Sequence, residues 1–539
     1  MTRTEHDALG PVEVPADRLW GAQTERSRHF FAIGVPRFVW TRPVIRALGL
    51  LKKSAALANG ELGTISKDRA ELIARAADEV IAGALDGEFP LVVFQTGSGT
   101  QSNMNANEVI ANRANQLAGK PLGSHEPVHP NDHVNKGQSS NDGFPVVMHI
   151  VAVEGIVHRL MPPVAALRNT LAEKAATYAN VVMIGRTHLQ DAVPITLGQE
   201  FSGYAGCIDR AADDVERASD ALKELNLGAT AVGTGLNAGD DYTERALANI
   251  SVHTGIDVRP AANRFRVTQS MGDVLAYSGA MRRLAVELSK IASDLRLLSS
   301  GPRAGLAEIV LPAVQPGSSI MPGKVNPSVP EMVNQVCFQV IGCDAAILAA
   351  ADHGQLELNV MMPVIAWNGI HATRILTSAM RVLKTRCVDG IQADEERCRE
   401  LLDRSTALAT ALSPHIGYAE TADIAKTAVA TGRSIRDLVR ERGLVPDATL
   451  DKILSAAAMT TPGLPGEIKG RRGARKTTRG GADSHGAVGR SAGAGRSTAA
   501  RATVLPGGPG AARGARSRGV SAARADHGRA ADRRGKRRR

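Results

Sequence analysis

The chain has 539 residues, 43% of them hydrophobic but only 3% aromatic, with a formal net charge of +11. That length supports two or three domains, and a core poor in rings but rich in Ala, Leu, Val and Ile favours helices. Its 5 cysteines form no C-x-x-C pair or metal-ligand spacing, which excludes a disulfide framework or zinc module and is expected of reduced thiols in a cytoplasmic protein.

Residues 14–24 (VPADRLWGAQT) read as extended or turn-like, with Trp20 as a packing anchor. No export signal is recognisable before them, and no uninterrupted apolar run in the chain approaches the roughly 18 residues of a membrane helix. Apolar residues recur at helical spacing over 44–59 and 67–85, where Leu72, Ala76, Val80 and Ala84 are expected to share a face. A polar island follows, QTGSGTQSNMN (95–105). Gly97 and Gly99 let the backbone approach a ligand, while Ser98 and Thr100 offer hydroxyls near a helix start. This is either an anion seat or N-cap chemistry with two turn glycines. The second island, HPNDHVNKGQSSND (129–142), could likewise cap a helix that begins near Pro145.

From 145 to 225 the pattern is helical, with a kink or new first turn at Pro162 and Pro163 and a break at 185–191. In that break His188, flanked by Thr187 and Asp191, is a candidate for proton transfer. The glycine-rich link GATAVGTGLN (228–237) has neither phosphate-loop spacing, so nucleotide binding is set aside. Residues 268–300 carry the cleanest period: Met271, Val274, Ser278 and Met281 lead into Leu284, Leu288, Ile291, Leu295 and Leu298, a bundle helix. A line of small residues, Ser278, Ala285 and Ala292, would admit close packing, including from another subunit.

Next comes GSSIMPGKVNP (317–327), which prolines and glycines keep out of a helix. It concentrates the hydroxyls of Ser318 and Ser319, the Lys324 ammonium, the Asn326 amide and free backbone N–H groups. Such a set suits an anion that forms during a reaction, although a solvated connector would also be polar. Helical pattern resumes over 329–351 with Glu331 in its first turn, and shorter helices over 394–454 suggest a small separate domain. Apolar periodicity ends near 463. Residues 466–539 hold 20 of the 65 Lys and Arg but 4 of the 54 Asp and Glu, so the tail is strongly basic and the body mildly acidic. A disordered basic low-complexity tail is expected over 464–539.

Taken in order, the two islands, GRTHLQDAVPITLGQE (185–200), the glycine-rich link and the 317–327 loop resemble the class II fumarases of the fumarase/aspartase superfamily over roughly residues 4–463. The loop matches that family's G-S-S-x-M-P-x-K-x-N-P without a gap. The resemblance implies an all-α, three-domain fold: an N-terminal lyase domain (1–138), a central bundle of long helices (139–393) and a small C-terminal helical domain (394–463). It also implies a homotetramer whose active sites are shared between subunits, and reversible anti hydration of fumarate to L-malate without a metal or organic cofactor.

Carried over by position, Ser318 is the implied base for the carbon-bound proton, and His188, supported by Glu331, the opposite acid/base. Substrate would be held by Ser98, Gly99, Thr100, Ser139, Ser140, Asn141, Thr187, Ser319, Lys324, Val325 and Asn326. A second dicarboxylate site would comprise His129, Pro130, Asn131 and Asp132. Many fumarases carry an Arg three residues before that His, whereas this chain has Glu126, whose carboxylate would repel a dianion. Aspartate ammonia-lyases share the base loop, but they tend to have Gly-Ala-Gly-Thr-Ser where this chain has GSGTQ, and Gln-Ser-Thr-Asn-Asp where it has QSSND. Both differences favour a fumarase. Nonspecific nucleic-acid binding through the tail is the reading from another class.

Overall fold

Helices account for most of residues 1–466, the part of the chain that the computed structural model describes; the basic tail beyond 466 lies outside the described residues. Strands β1 (Thr2–Asp7) and β2 (Gly10–Pro15) pair as an antiparallel hairpin. Trp20 is buried beside it, its Nε1 donating to Glu25 at 2.7 Å. Helices α1 (Ala22–Phe30), α2 (Arg42–Glu61), α3 (Lys67–Ala82) and α4 (Thr100–Leu117) follow. The buried stripe of α3 is Ala70, Ile73, Ala76, Ala77 and Val80. Of the expected line, Ala76 and Val80 lie in that stripe and Leu72 packs half-buried beside it, whereas Ala84 is exposed, since a constant step of four drifts off a 3.6-residue turn. Ala84 also lies past the left-handed Gly83 that ends the helix (φ 91).

Helix α5 (Ser140–Glu154), a π-helical turn (Gly155–Leu160) and α6 (Met161–Thr177) make one rod, Ser140–Thr177. It starts ahead of Pro145. Ser139 caps it: Oγ accepts from Asn141 N at 3.2 Å, and Ser139 N donates to Asp142 Oδ1 at 2.8 Å. Pro145 has no N–H for the Asn141 carbonyl, and Asn226 Nδ2 donates there instead at 3.3 Å. Pro162 and Pro163 stand at the start of α6, directly after the π-helical turn.

The break at 185–191 is the tip of a hairpin, β3 (Val182–Thr187) against β4 (Gln190–Thr196), rather than a helix–helix connector. Helices α7 (Leu197–Ala221), α8 (Asp240–Thr254), α9 (Arg264–Gln269), α10 (Gly272–Leu298), α11 (Ser328–Ala351) and α12 (Met362–Arg386) complete the central part. In the bundle α10 lies against α7 and α11, α11 against α12, and α6 against α7 and α12. The expected α10 seam is buried. So are its small residues, within this one chain: Ser278 Oγ donates to Asp344 Oδ1 of α11 at 2.6 Å.

Two rods, Ser140–Thr177 and Ser328–Ala351, reach a mean hydropathy compatible with membrane helices despite their polar interruptions. In this fold both are bundle helices. The short helices over 395–459 bury their own apolar cluster, which Ile184 of β3 joins. All 5 cysteines are free, and Cys337, Cys343, Cys387 and Cys398 are buried.

Candidate active site

The first island supplies a hydroxyl cluster at the start of α4. Gly99 precedes the helix in a left-handed conformation (φ 71), and a Cβ there would lie 2.3 Å from the Phe144 ring. Ser98 Oγ, Thr100 Oγ1 and Ser140 Oγ form a chain with spacings of 2.8 and 2.9 Å. Among the described residues these hydroxyls bond only one another, while Ser139 does the capping and Asn141 Nδ2 donates to Ala231 O at 2.8 Å. The two sequence readings thus divide between neighbouring residues. The glycine-rich link has a structural use here: the Gly228 and Thr230 amides both donate to the buried Asp142 Oδ2 at 3.0 Å. A cleft beside Thr100 is lined by Gln23, Arg26 and Gln101.

The chemical groups lie elsewhere. Ser318 Oγ accepts from Ile320 N at 3.2 Å and Met321 N at 3.0 Å, two donors that favour a developing alkoxide. Asn326 Nδ2 donates to Gly317 O at 2.5 Å and Gly317 N to Lys324 O at 2.8 Å, which closes the loop on itself. A Cβ at Gly317 would come within 2.3 Å of Lys324 O, so the closure requires glycine. Ser319, Lys324 and Val325 are exposed, and Lys324 has no ion pair among the described residues. Glu331 faces Arg296 at 4.0 Å rather than His188.

His188 and Leu189 form the tip of the β3–β4 hairpin with φ of 57 and 59, the paired left-handed geometry of a type I′ turn. Histidine is one of the residues that enters that region more readily, but Leu189 is out of place there, and such strain is characteristic of functional positions. Thr187 and His188 are exposed. The base of the hairpin is anchored: Arg186 donates to the two oxygens of buried Glu308 at 2.6 and 3.1 Å. Burial raises the Glu308 pKa, and the Arg186 guanidinium opposes that shift.

These groups occupy opposite ends of the bundle. Gly97 O accepts from Met362 N at 2.9 Å, which places the hydroxyl cluster at the start of α12, just past the end of α11. The 317–327 loop enters the other end of α11, and at about 1.5 Å per residue that helix of 24 residues separates its termini by ~36 Å. The hairpin belongs with the loop, because Glu308 N donates to Leu298 O at the end of α10. No hydrogen bond or ion pair among the described residues joins His188, Ser318 and the hydroxyl cluster.

The second predicted site is a π-helical turn, Pro130–Val134, in which His129 Nδ1 accepts from the Asn131 and Asp132 amides at 3.2 Å each. Pro130 is buried, and Asn131 and Asp132 are exposed. Arg69, Lys120, His125 and His133 line the same depression; Arg69 and Lys120 supply positive charge near Glu126, while burial lowers the pKa of both histidines and keeps them neutral. Among the described residues no group of His, Cys, Asp or Glu is arranged to hold a metal ion.

A lyase family profile matches residues 10–342, and one for the fumarase C C-terminus matches residues 408–461. The chain therefore belongs to the lyase family of the fumarase/aspartase superfamily. It is 50% identical to the fumarate hydratase class II of Neisseria meningitidis over 464 residues, covering 86% of this chain and 99% of that one. Against fumarate hydratase class II 1 of Pseudomonas aeruginosa it is 49% identical over 463 residues, with coverage of 86% and 99%. The crystal structure of a recombinant class II fumarase from Schistosoma mansoni superposes with a TM-score of 0.82 at 39% identity, covering 85% of this chain and 99% of that one. Within the family its place is among the class II fumarases.

Proposed function

We propose that the protein hydrates fumarate to L-malate reversibly, in an active site completed only when several copies assemble. The observation that carries the reading is the division of the site. The hydroxyl seat is complete in one chain, the base loop and hairpin are complete at the other end, and a four-carbon dicarboxylate is far too short to bridge ~36 Å. Copies must supply the two halves to each other. Exposed apolar residues on the bundle supply a surface for this: Phe338 and Leu348 of α11 are 61% and 50% exposed, and Val286 of α10 is 51% exposed. We read the assembly as a homotetramer of soluble, cytoplasmic chains, each divided at 1–138, 139–393 and 394–463.

In the dehydration direction Ser318 takes the carbon-bound proton, and the electron pair moves into the adjacent carboxylate to give a dianionic aci-form. Lys324, Asn326 and the loop amides stabilise that charge. His188, acting through a water and with the Glu331 of another copy in support, protonates the departing hydroxyl from the opposite face, so that water leaves and the double bond forms. Ser98, Thr100, Ser140, Asn141 and Thr187 hold the carboxylates. The turn at His129, Asn131 and Asp132, with Arg69 and Lys120 nearby, is read as a second dicarboxylate site.

Fumarate formation, followed by ultraviolet absorbance with L-malate and separately with L-aspartate, tests the reading. Turnover of malate alone is the expected result. Turnover of aspartate alone makes the protein an ammonia-lyase, and turnover of neither removes the assignment.

A further inference from the structure

The hydroxyl seat rests on a buried lysine that no step of the reaction uses. Lys52 of α2 is 0% exposed, and its Nζ lies 2.7 Å from Asn103 Oδ1, 3.1 Å from Asn135 Oδ1 and 2.8 Å from Gln138 Oε1. The other half of each amide fixes its orientation. Asn103 Nδ2 donates to Asn135 Oδ1 at 3.0 Å, Asn135 Nδ2 to Gln138 O at 3.1 Å, and Gln138 Nε2 to Val134 O at 3.1 Å. Each amide therefore turns an oxygen towards Lys52. Three acceptors require three N–H donors, which an ammonium has and a neutral amine lacks.

Asp142 is its counterpart, accepting from Ser139 N at 2.8 Å and from the Gly228 and Thr230 amides at 3.0 Å each. Burial draws both groups towards neutrality and their mutual attraction opposes it, the balance leaving Lys52 lowered to about 7 and Asp142 raised to about 7. The hydrogen-bond counts on both sides are those of the ionised pair.

Asn103 belongs to α4, whose first residue is Thr100, and Gln138 directly precedes Ser139 and Ser140. Lys52 thus holds together the two segments whose hydroxyls meet between Thr100 and Ser140. We propose that Lys52 is a positioning residue for the dicarboxylate: without touching substrate, its buried ammonium clamps segments 98–103 and 135–141 so that their hydroxyls converge on one carboxylate. The proposal rests on reading that cluster as the carboxylate seat. Replacing Lys52 by Met keeps the length of the side chain but leaves two amide oxygens, Asn103 Oδ1 and Gln138 Oε1, without their donor, which favours separation of the segments.

The test is steady-state kinetics of the full-length assembled protein with fumarate and L-malate, alongside its thermal midpoint. Lys52→Met is expected to raise KM at least ~10-fold while kcat changes less than ~3-fold, the split expected when binding geometry is lost and the chemical groups are intact. A merely structural lysine would lower the midpoint and leave KM unchanged, and that result overturns the proposal. If Lys52→Met does not assemble, Gln138→Met decides, since it removes one acceptor from the clamp: a several-fold rise in KM supports the proposal and an unchanged KM overturns it. Wild-type protein that turns over neither substrate would overturn the seat reading and this proposal together, whereas an active wild type with an unaltered Lys52→Met variant overturns this proposal alone.

Discussion

The two ends of the bundle are built differently. At the seat end, hydroxyls, amides and a buried ion pair interlock, and Ser98, Lys52 and Asp142 are out of solvent. At the other end Lys324, Ser319 and His188 stand exposed on a loop and a hairpin tip whose own hydrogen bonds close locally. The hydroxyl end keeps its groups largely out of solvent and bonded to one another within one chain, while the loop and hairpin present theirs outwards. Recognition of a small dianion needs converging donors with little freedom. Proton transfer needs groups that reach a substrate already held, and those can be delivered by another chain.

The largest effect should follow from breaking the chemical end. Ser318→Ala is expected to lower kcat by ~10²–10⁴ with little change in thermal midpoint, because the loop buries little; steady-state rates and a melting curve check both parts. Mixing tests the separation itself. Ser318→Ala and Ser140→Ala chains, each weakly active alone, should recover activity when coexpressed, up to about a quarter of the sites if the two residues reach each site from different chains. Absence of recovery in verified mixed assemblies would show that each chain completes its own site.

A smaller effect sharpens the contrast at the buried end. His149 of α5 is fully buried, with Nδ1 donating to Leu222 O at 3.0 Å, and burial holds its pKa below the usual 6.5. The folded chain keeps the ring neutral while the unfolded chain takes up a proton. Its contribution is therefore complete above about pH 6.5 and is lost as pH falls towards the folded pKa, by at most ~1.4 kcal/mol per pH unit. Thermal midpoints between about pH 7 and 5 should fall more steeply for the wild type than for His149→Gln. The smallest expected effect is that of deleting residues 466–539: hydration of fumarate unchanged, and any salt-sensitive retention on nucleic acid lost with the tail.

Much of this was legible in the sequence because it rests on local pattern. The α10 seam from Met271 to Leu298 follows from apolar spacing, and the seat and loop segments from polar residues placed beside glycines. The hairpin at 182–196 was harder to read, since Thr187–Gln190 lacks the Gly or Asn that usually announces a type I′ turn. Lys52 left a signal: four residues after Leu48 and three before Ala55, it falls on the buried stripe of α2, where a lysine calls for partners. Which groups meet was not legible, because periodicity within one chain describes faces and says nothing about the distance between a helix's two ends.

That distance gives α11 a further role. On the proposed division of the site its length is a ruler between the hydroxyl cluster and the 317–327 loop, so a residue inserted there would advance one end by about 1.5 Å and rotate it by about 100° while leaving both ends locally intact. Related chains should therefore vary in length at surface connections such as 118–128 and keep the residue count of α11 fixed. Deletion of a single alanine near Ala345 should abolish turnover in a protein that still melts cooperatively and still binds dicarboxylate.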